Sequence, residues 1–276
     1  MPTSAPNLTF IGAGNMAGSL VRGLVHAGHD PACIRVADPI ESQLENFASL
    51  GVPTFTDNNA ALSGADVVVL AVKPQIASSV VSALTQLQTA QLLVSIAAGI
   101  TIDSLTAWTS ADQAIVRCMP NTPALLGAGM SALFANQHCS DSQRQSAEQV
   151  LRAAGDTIWV SEEEALDAVT AVSGSGPAYF FLLMEAMVAA GENLGLDHAT
   201  ATRLTLQTAY GAALMARDSE DSPAVLRQNV TSPGGTTAAA LQVMQERGLP
   251  GIVEDALQAA AQRSAELAVE FGGGKA

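Results

Sequence analysis

The chain has 276 residues, 48% of them hydrophobic and only 14% charged, with a formal net charge of −14. So much apolar material excludes a disordered chain and supplies one or two domains with large cores. The negative sign argues against nucleic acid and anionic membrane as partners.

With few charges to cover it, some apolar surface is expected to lie between subunits, so a homo-oligomer is the expected state. The N-terminus, Met1 to Asn7, carries neither a basic region nor a long apolar stretch, and no signal peptide is expected. No apolar run approaches the ~18 residues of a membrane span. Cys33, Cys118 and Cys139 are widely spaced and form no CxxC or Cys/His cluster. No metal site is expected, and a reducing cytoplasmic compartment fits.

In chain order, Leu8 to Ile11 reads as a strand and Met16 to Ala27 as a helix with Met16, Leu20, Leu24 and Ala27 on one face. Ile34 to Ala37, Asp66 to Val72, Leu92 to Ile96 and Ala114 to Met119 read as further strands. Strands alternating with helical patterns imply a doubly wound parallel sheet of the Rossmann type. Gly129 to Phe134 and Thr157 to Val160 are expected on the same sheet. Beyond Ser161 only helical periodicity remains, over Pro177 to Leu194, Ala199 to Arg217, Pro223 to Asn229, Thr236 to Arg247 and Pro250 to Phe271. The expected organisation is an α/β dinucleotide-binding domain over 1–161 and an all-helical dimerisation and substrate domain over 162–276.

The segment Phe10-Ile11-Gly12-Ala13-Gly14-Asn15-Met16-Ala17 is a strand running through GxGxxA into a helix, with a second strand following. That context is the one a dinucleotide fingerprint requires. Gly12 permits the tight turn, Gly14 lets the backbone approach a pyrophosphate, and Ala17 allows close helix–strand packing. The helix N-terminus, with Ala13, Asn15 and Met16, offers N–H groups to phosphates. Asp38, ending the second strand, is placed to accept from ribose hydroxyls and to repel a 2′-phosphate, so NADH is expected over NADPH. Asn58 lies where an amide could reach the adenosine half. Ala71, Val72, Lys73 and Pro74 end the next long strand at the edge where such sheets bind ligands. Lys73 is one of only two lysines, the other being Lys275; it is a candidate catalytic as well as cofactor-binding residue.

Two glycine-rich segments remain, Ser173-Gly174-Ser175-Gly176-Pro177-Ala178-Tyr179 and Thr231-Ser232-Pro233-Gly234-Gly235-Thr236-Thr237, each expected to open a helix. Glycines and hydroxyls at a helix N-terminus make a ready anion site.

With these blocks, and with Ala71-Val72-Lys73-Pro74 and Arg117-Cys118-Met119-Pro120-Asn121-Thr122-Pro123 between them, nearly the whole chain resembles the pyrroline-5-carboxylate reductase family. The resemblance implies a Rossmann domain joined to a helical dimerisation domain, in some members assembled further into a decamer. It implies hydride transfer from NAD(P)H to the C=N carbon of 1-pyrroline-5-carboxylate, giving L-proline, the last step of proline biosynthesis. By motif, Ser232, Gly234, Gly235 and Thr236 would bind the substrate carboxylate and Thr237 would place its hydroxyl near the imine nitrogen. A neutral hydroxyl suits that nitrogen, since a carboxylic acid would be ionised and a lysine would repel the iminium.

Two rivals are weighed against this. A β-hydroxyacid dehydrogenase has a similar domain order, but that chemistry resembles acid–base work by a lysine in the second domain, and residues 161–271 contain none. A non-catalytic dinucleotide-binding regulator would leave the loop at Ser232 with no small anion to hold.

Overall fold

The computed structural model describes residues 5–272. One mixed sheet of eight strands carries the first part of the chain, in the order β3-β2-β1-β4-β5-β6-β7-β8. The strands are β1 (Leu8–Ile11), β2 (Ile34–Ala37), β3 (Thr54–Phe55), β4 (Val67–Leu70), β5 (Leu92–Ser95), β6 (Ile115–Met119), β7 (Gly129–Ala135) and β8 (Gly155–Trp159). The first six are parallel to one another. The strand order reverses at β1, which pairs with β2 on one side and β4 on the other, and open α/β sheets bind ligands at such a switch point.

Short, continuous apolar runs form this sheet because both of its faces are covered. Side chains alternate across it. Phe10, Val36, Val69 and Val94 enter one core. Ile11, Val68, Leu70 and Leu93 enter the other.

The helices of this unit are α1 (Asn15–His26), α2 (Glu41–Ala48), α3 (Asn58–Ala61), α4 (Pro74–Ser82), α5 (Ile102–Trp108), α6 (Asp141–Arg152) and α7 (Ala165–Val169). Ala17, in the first turn of α1, is fully buried, as the fingerprint requires. Two features depart from the sequence expectation. The strand read over Asp66 to Val72 is the fourth rather than the third, because the two-residue β3 precedes it and is too short to show a pattern. β7 runs antiparallel to β6, because the short connection through Thr122–Leu126 reverses the chain without a crossover helix.

The helical elements that follow are α8 (Gly176–Asn193), α9 (His198–Asp218), α10 (Pro223–Asn229), α11 (Thr236–Glu246) and α12 (Leu249–Phe271). The chain divides into two compact units, one running to Ser175 and including the chain from Ala259, the other Gly176–Gln258. Within the first, Ser264 Oγ donates to Asp167 Oδ1 at 2.7 Å, tying the end of α12 to α7.

The helical unit leaves apolar side chains uncovered, with Phe180 65% and Leu194 86% exposed. The helical run Ala165–Asn193 is long and apolar enough to cross a membrane by length and composition, at a mean hydropathy of 1.2. Its serines and glycines interrupt the apolar run in sequence without interrupting the helix, which is why the sequence alone shows no such stretch.

Candidate active site

Gly12 sits at φ 101°, a region that only glycine adopts at low cost. A Cβ there would lie 2.7 Å from the carbonyl oxygen of Ala71. β1 and β4 can therefore pair up to the turn only with glycine at this position. Gly14 differs: a Cβ there would meet nothing within 4 Å, and its backbone is in an ordinary extended conformation. The space above it is open to a ligand. Gly14 is also the N-cap of α1 and supplies no side-chain cap, so the first N–H groups of α1 remain available to an anion.

Gly12, Ala13 and Gly14 line a cleft of about 420 Å³ together with Asp38, Asn58 and Lys73. Ala71 and Val72 line it as well, whereas Asn15, Met16 and Pro74 are not among its lining residues. Pro74 instead starts α4, with Lys73 as its N-cap. Lys73 is exposed and is the one Lys or Arg among the described lining residues.

The Asp38 carboxylate is held from two sides. Ala13 N–H donates to Oδ2 and Ile40 N–H to Oδ1, both at 3.0 Å. The Asn58 Oδ1 atom is buried without a hydrogen-bond partner, an acceptor that a ligand's N–H or O–H could satisfy. Ile40 and Ile76 line the same cleft and are 56% and 49% exposed. The sequence reading missed both; the signal was a large aliphatic residue placed just past each strand end, at Asp38-Pro39-Ile40 and Lys73-Pro74-Gln75-Ile76. An open glycine, an uncapped helix end, an unpartnered amide and an apolar wall fit a dinucleotide.

In the helical unit, Ser232-Pro233-Gly234-Gly235 forms a tight turn in which Gly235 N–H donates to Ser232 O at 3.0 Å. Proline at the second position and Gly234 at φ 70° are the requirements of a type II turn. Gly235 caps α11, again without a side-chain cap. Ser232, Gly234 and Thr236 are exposed, and Gly235 and Thr237 half-buried. This segment opens a helix as its composition requires.

The segment Ser173 to Tyr179 also opens a helix, α8 at Gly176, but without a free end. Thr170–Gly174 is a π turn inside the helical run Ala165–Asn193, and Ser175 N–H donates to Thr170 O at 2.8 Å. The expected free helix N-terminus at Ser173 is absent because the helix has already begun. Cys118, in the other unassigned motif, is buried on β6, and desolvation pushes its thiol up. It stays neutral and takes no part as a nucleophile.

Sheet, switch point and cleft together define a dinucleotide-binding protein of the Rossmann class. Residues 7–99 match the family described as NADP oxidoreductase coenzyme F420-dependent, and residues 163–267 match that described as pyrroline-5-carboxylate reductase dimerisation. A pyrroline-5-carboxylate reductase of Pseudomonas aeruginosa is 54% identical over 98% of this chain and 99% of its own length. The structure of a pyrroline-5-carboxylate reductase from Coxiella burnetii aligns at a TM-score of 0.90 and 44% identity, over 96% of this chain and 99% of that one. A Plasmodium falciparum pyrroline carboxylate reductase with NADP bound aligns at 0.83 and 28% identity, over 95% and 98% of the two chains. This chain belongs to the pyrroline-5-carboxylate reductase family and is an NAD(P)H-dependent oxidoreductase that forms a homo-oligomer.

Proposed function

We propose that the chain reduces 1-pyrroline-5-carboxylate to L-proline in the cytoplasm, as the last step of proline biosynthesis, with NADH as the favoured donor. The observation that carries this reading is the glycine-built, uncapped N-terminus of α11, which presents backbone N–H groups and hydroxyls without any charged side chain of its own.

The bound nicotinamide supplies hydride. Ser232, Gly234, Gly235 and Thr236 hold the substrate carboxylate through the hydroxyls, the N–H groups that the turn leaves free and the helix dipole, with the Gly235 N–H closing the turn onto Ser232 O. Thr237 hydrogen-bonds the imine nitrogen, whose charge falls as the C=N bond is reduced. The free N–H groups of Asn15 and Met16, with the open space at Gly14, would hold the pyrophosphate. Ile40 and Ile76 would offer the adenine an apolar wall, and Asn58 Oδ1 would accept from the adenosine half. Ala71 and Val72 line the cleft, and Pro74 starts α4 behind Lys73 and fixes the course of the chain there. Lys73 is the cleft's one cation among the described residues, would hold the anionic dinucleotide by its charge, and is the candidate catalytic side chain of this unit.

NADH is favoured because Asp38 puts negative charge where a 2′-phosphate would lie. Each Asp38 oxygen keeps a lone pair for a ribose hydroxyl after accepting its N–H. The exposed apolar side chains of α8 and α9 are covered in a homodimer, the unit from which a decamer would be built.

The test is NADH and NADPH oxidation with 1-pyrroline-5-carboxylate by wild type and Thr237→Ala, with mass measurement of the oligomer in solution. A wild type that consumes neither donor with this imine overturns the reading. A Thr237→Ala enzyme with unchanged kcat removes Thr237 from the chemistry.

A further inference from the structure

Two motifs have no role in the reading above: Arg117 to Pro123 and Ser173 to Tyr179. The structure brings them together. In an α-helix the carbonyl of Ser173 would accept from the N–H of residue 177. Residue 177 is proline, which has no N–H and whose ring crowds that same carbonyl. The widened π turn over Thr170–Gly174 accommodates the ring and leaves the Ser173 carbonyl without this helical partner. Asn121 supplies one: its Nδ2 donates to Ser173 O at 3.0 Å.

Two further contacts fix Asn121. Its Oδ1 accepts from Met130 N–H at 2.9 Å, which joins the end of β6 to the start of β7. Its carbonyl accepts from Ala124 N–H at 3.2 Å, closing the turn Thr122–Leu126 that packs on α1. Beneath it, Met119 fills the space left by Gly174: a Cβ on Gly174 would lie 2.5 Å from Met119 Cε. Asn121 thus ties β6, β7 and the π turn at one point. That point lies at the carboxyl end of β6, in the half of the sheet beyond β1 that carries the second mononucleotide of a dinucleotide.

We propose that Asn121 is a positioning residue for hydride transfer, holding the nicotinamide edge of the sheet against the π turn through the carbonyl that Pro177 leaves unpartnered. The inference rests on the imine reduction proposed above.

The test uses the full-length oligomer and the variants Asn121→Asp, Pro177→Ala and their combination. Asn121→Asp keeps an acceptor for Met130 N–H and loses the donor to Ser173 O. Its kcat falls about tenfold or more, since small misplacements of reacting groups are costly, while the NADH Kd, read by fluorescence titration, stays within about twofold. Pro177→Ala restores an N–H able to serve Ser173 O, so the double variant recovers about half or more of the lost kcat. Amide exchange over residues 170–178, measured without cofactor or substrate, speeds up in Asn121→Asp and returns toward wild type in the double variant. If Asn121→Asp does not fold, Asn121→Ser, too short to reach Ser173 O, makes the same comparisons.

An unchanged kcat in Asn121→Asp, or a double variant no better than the single, overturns the proposal. A wild type without imine reduction overturns the assigned reaction instead. Exchange then decides the joint, and unchanged exchange would end it.

Discussion

The carbonyl oxygen of Ala71 occupies the place where Gly12 would carry a Cβ, 2.7 Å from that position. The first glycine of the dinucleotide turn is therefore fixed by the protein's own backbone, while the second, Gly14, faces open space. Identical substitutions at the two should give opposite results. Gly12→Ala combines a disallowed φ with a backbone clash and should cost at least ~1–3 kcal/mol, seen as a lower Tm. Gly14→Ala should leave stability within about 0.5 kcal/mol and weaken cofactor binding, seen as a higher NADH Kd at unchanged Tm. A destabilised Gly14→Ala protein would mean that the open space above α1 is not a ligand's.

Asp38 is bound to the same turn through Ala13 N–H. Replacing it should do more than change cofactor choice. Asp38→Ser removes the repulsion toward a 2′-phosphate and also loosens the glycine turn. We expect kcat/KM with NADH to fall about tenfold, the cost of one charge-assisted hydrogen bond, and that with NADPH to fall less. The NADPH/NADH ratio then rises even though neither donor is used as well as before. An NADPH kcat/KM well above that of wild type would show that the Ala13 contact contributes nothing to the turn.

The sheet was largely legible because β1, β2, β4, β5 and β6 are apolar runs bounded by turns, buried on both faces. β3 was not, since two residues carry no period, and its pairing with β2 is decided by the rest of the sheet. The direction of β7 was equally hidden: alternation fixes which face a residue takes, not which way its strand runs. The cleft gathers Gly12, Ala13, Gly14, Asp38, Asn58, Ala71, Val72 and Lys73 because each stands at or near a strand's carboxyl end. The free helix end expected at Ser173 is missing for a physical reason. Proline after Ser-Gly is a good first residue of a helix, and also a residue that forces a wide turn inside one; only the preceding segment Ala165–Val169, already helical, decides between them.

Arg117 and Glu163 form an ion pair with N–O distance 2.8 Å and side-chain exposures of 8% and 20%. The same Glu163 Oε1 accepts from Ile102 N–H at 2.8 Å, capping α5. Glu163→Ala should strip a buried guanidinium of its partner and cost roughly 3–5 kcal/mol, measured by urea unfolding. Arg117→Met with Glu163→Leu should recover much of that loss, since an apolar pair of similar volume avoids the desolvation cost. A single variant as stable as wild type would mean that water already solvates Arg117.

Glu148 gives the pH dependence with the clearest sign. Its Oε2 accepts from Trp159 Nε1–H at 3.2 Å, and Arg152 pairs with its Oε1 at 3.0 Å. The Trp159 hydrogen bond, aided by Arg152 and Thr157, holds the carboxyl below its ordinary value. A carboxyl that is more acidic folded than unfolded stabilises the fold above its unfolded pKa, about 4.3. That contribution fades as pH falls through the lowered folded value. The indole also lies under Arg144, 5.5 Å from the ring centroid, so its fluorescence reports on the cluster. Trp159 emission in a Trp108→Phe background should stay constant from neutral pH down to about 4.3 and change only below it. Glu148→Gln should abolish that change while leaving the dinucleotide Kd as it was. A transition centred above the ordinary carboxylate range would mean that burial, rather than the indole hydrogen bond, governs this carboxyl.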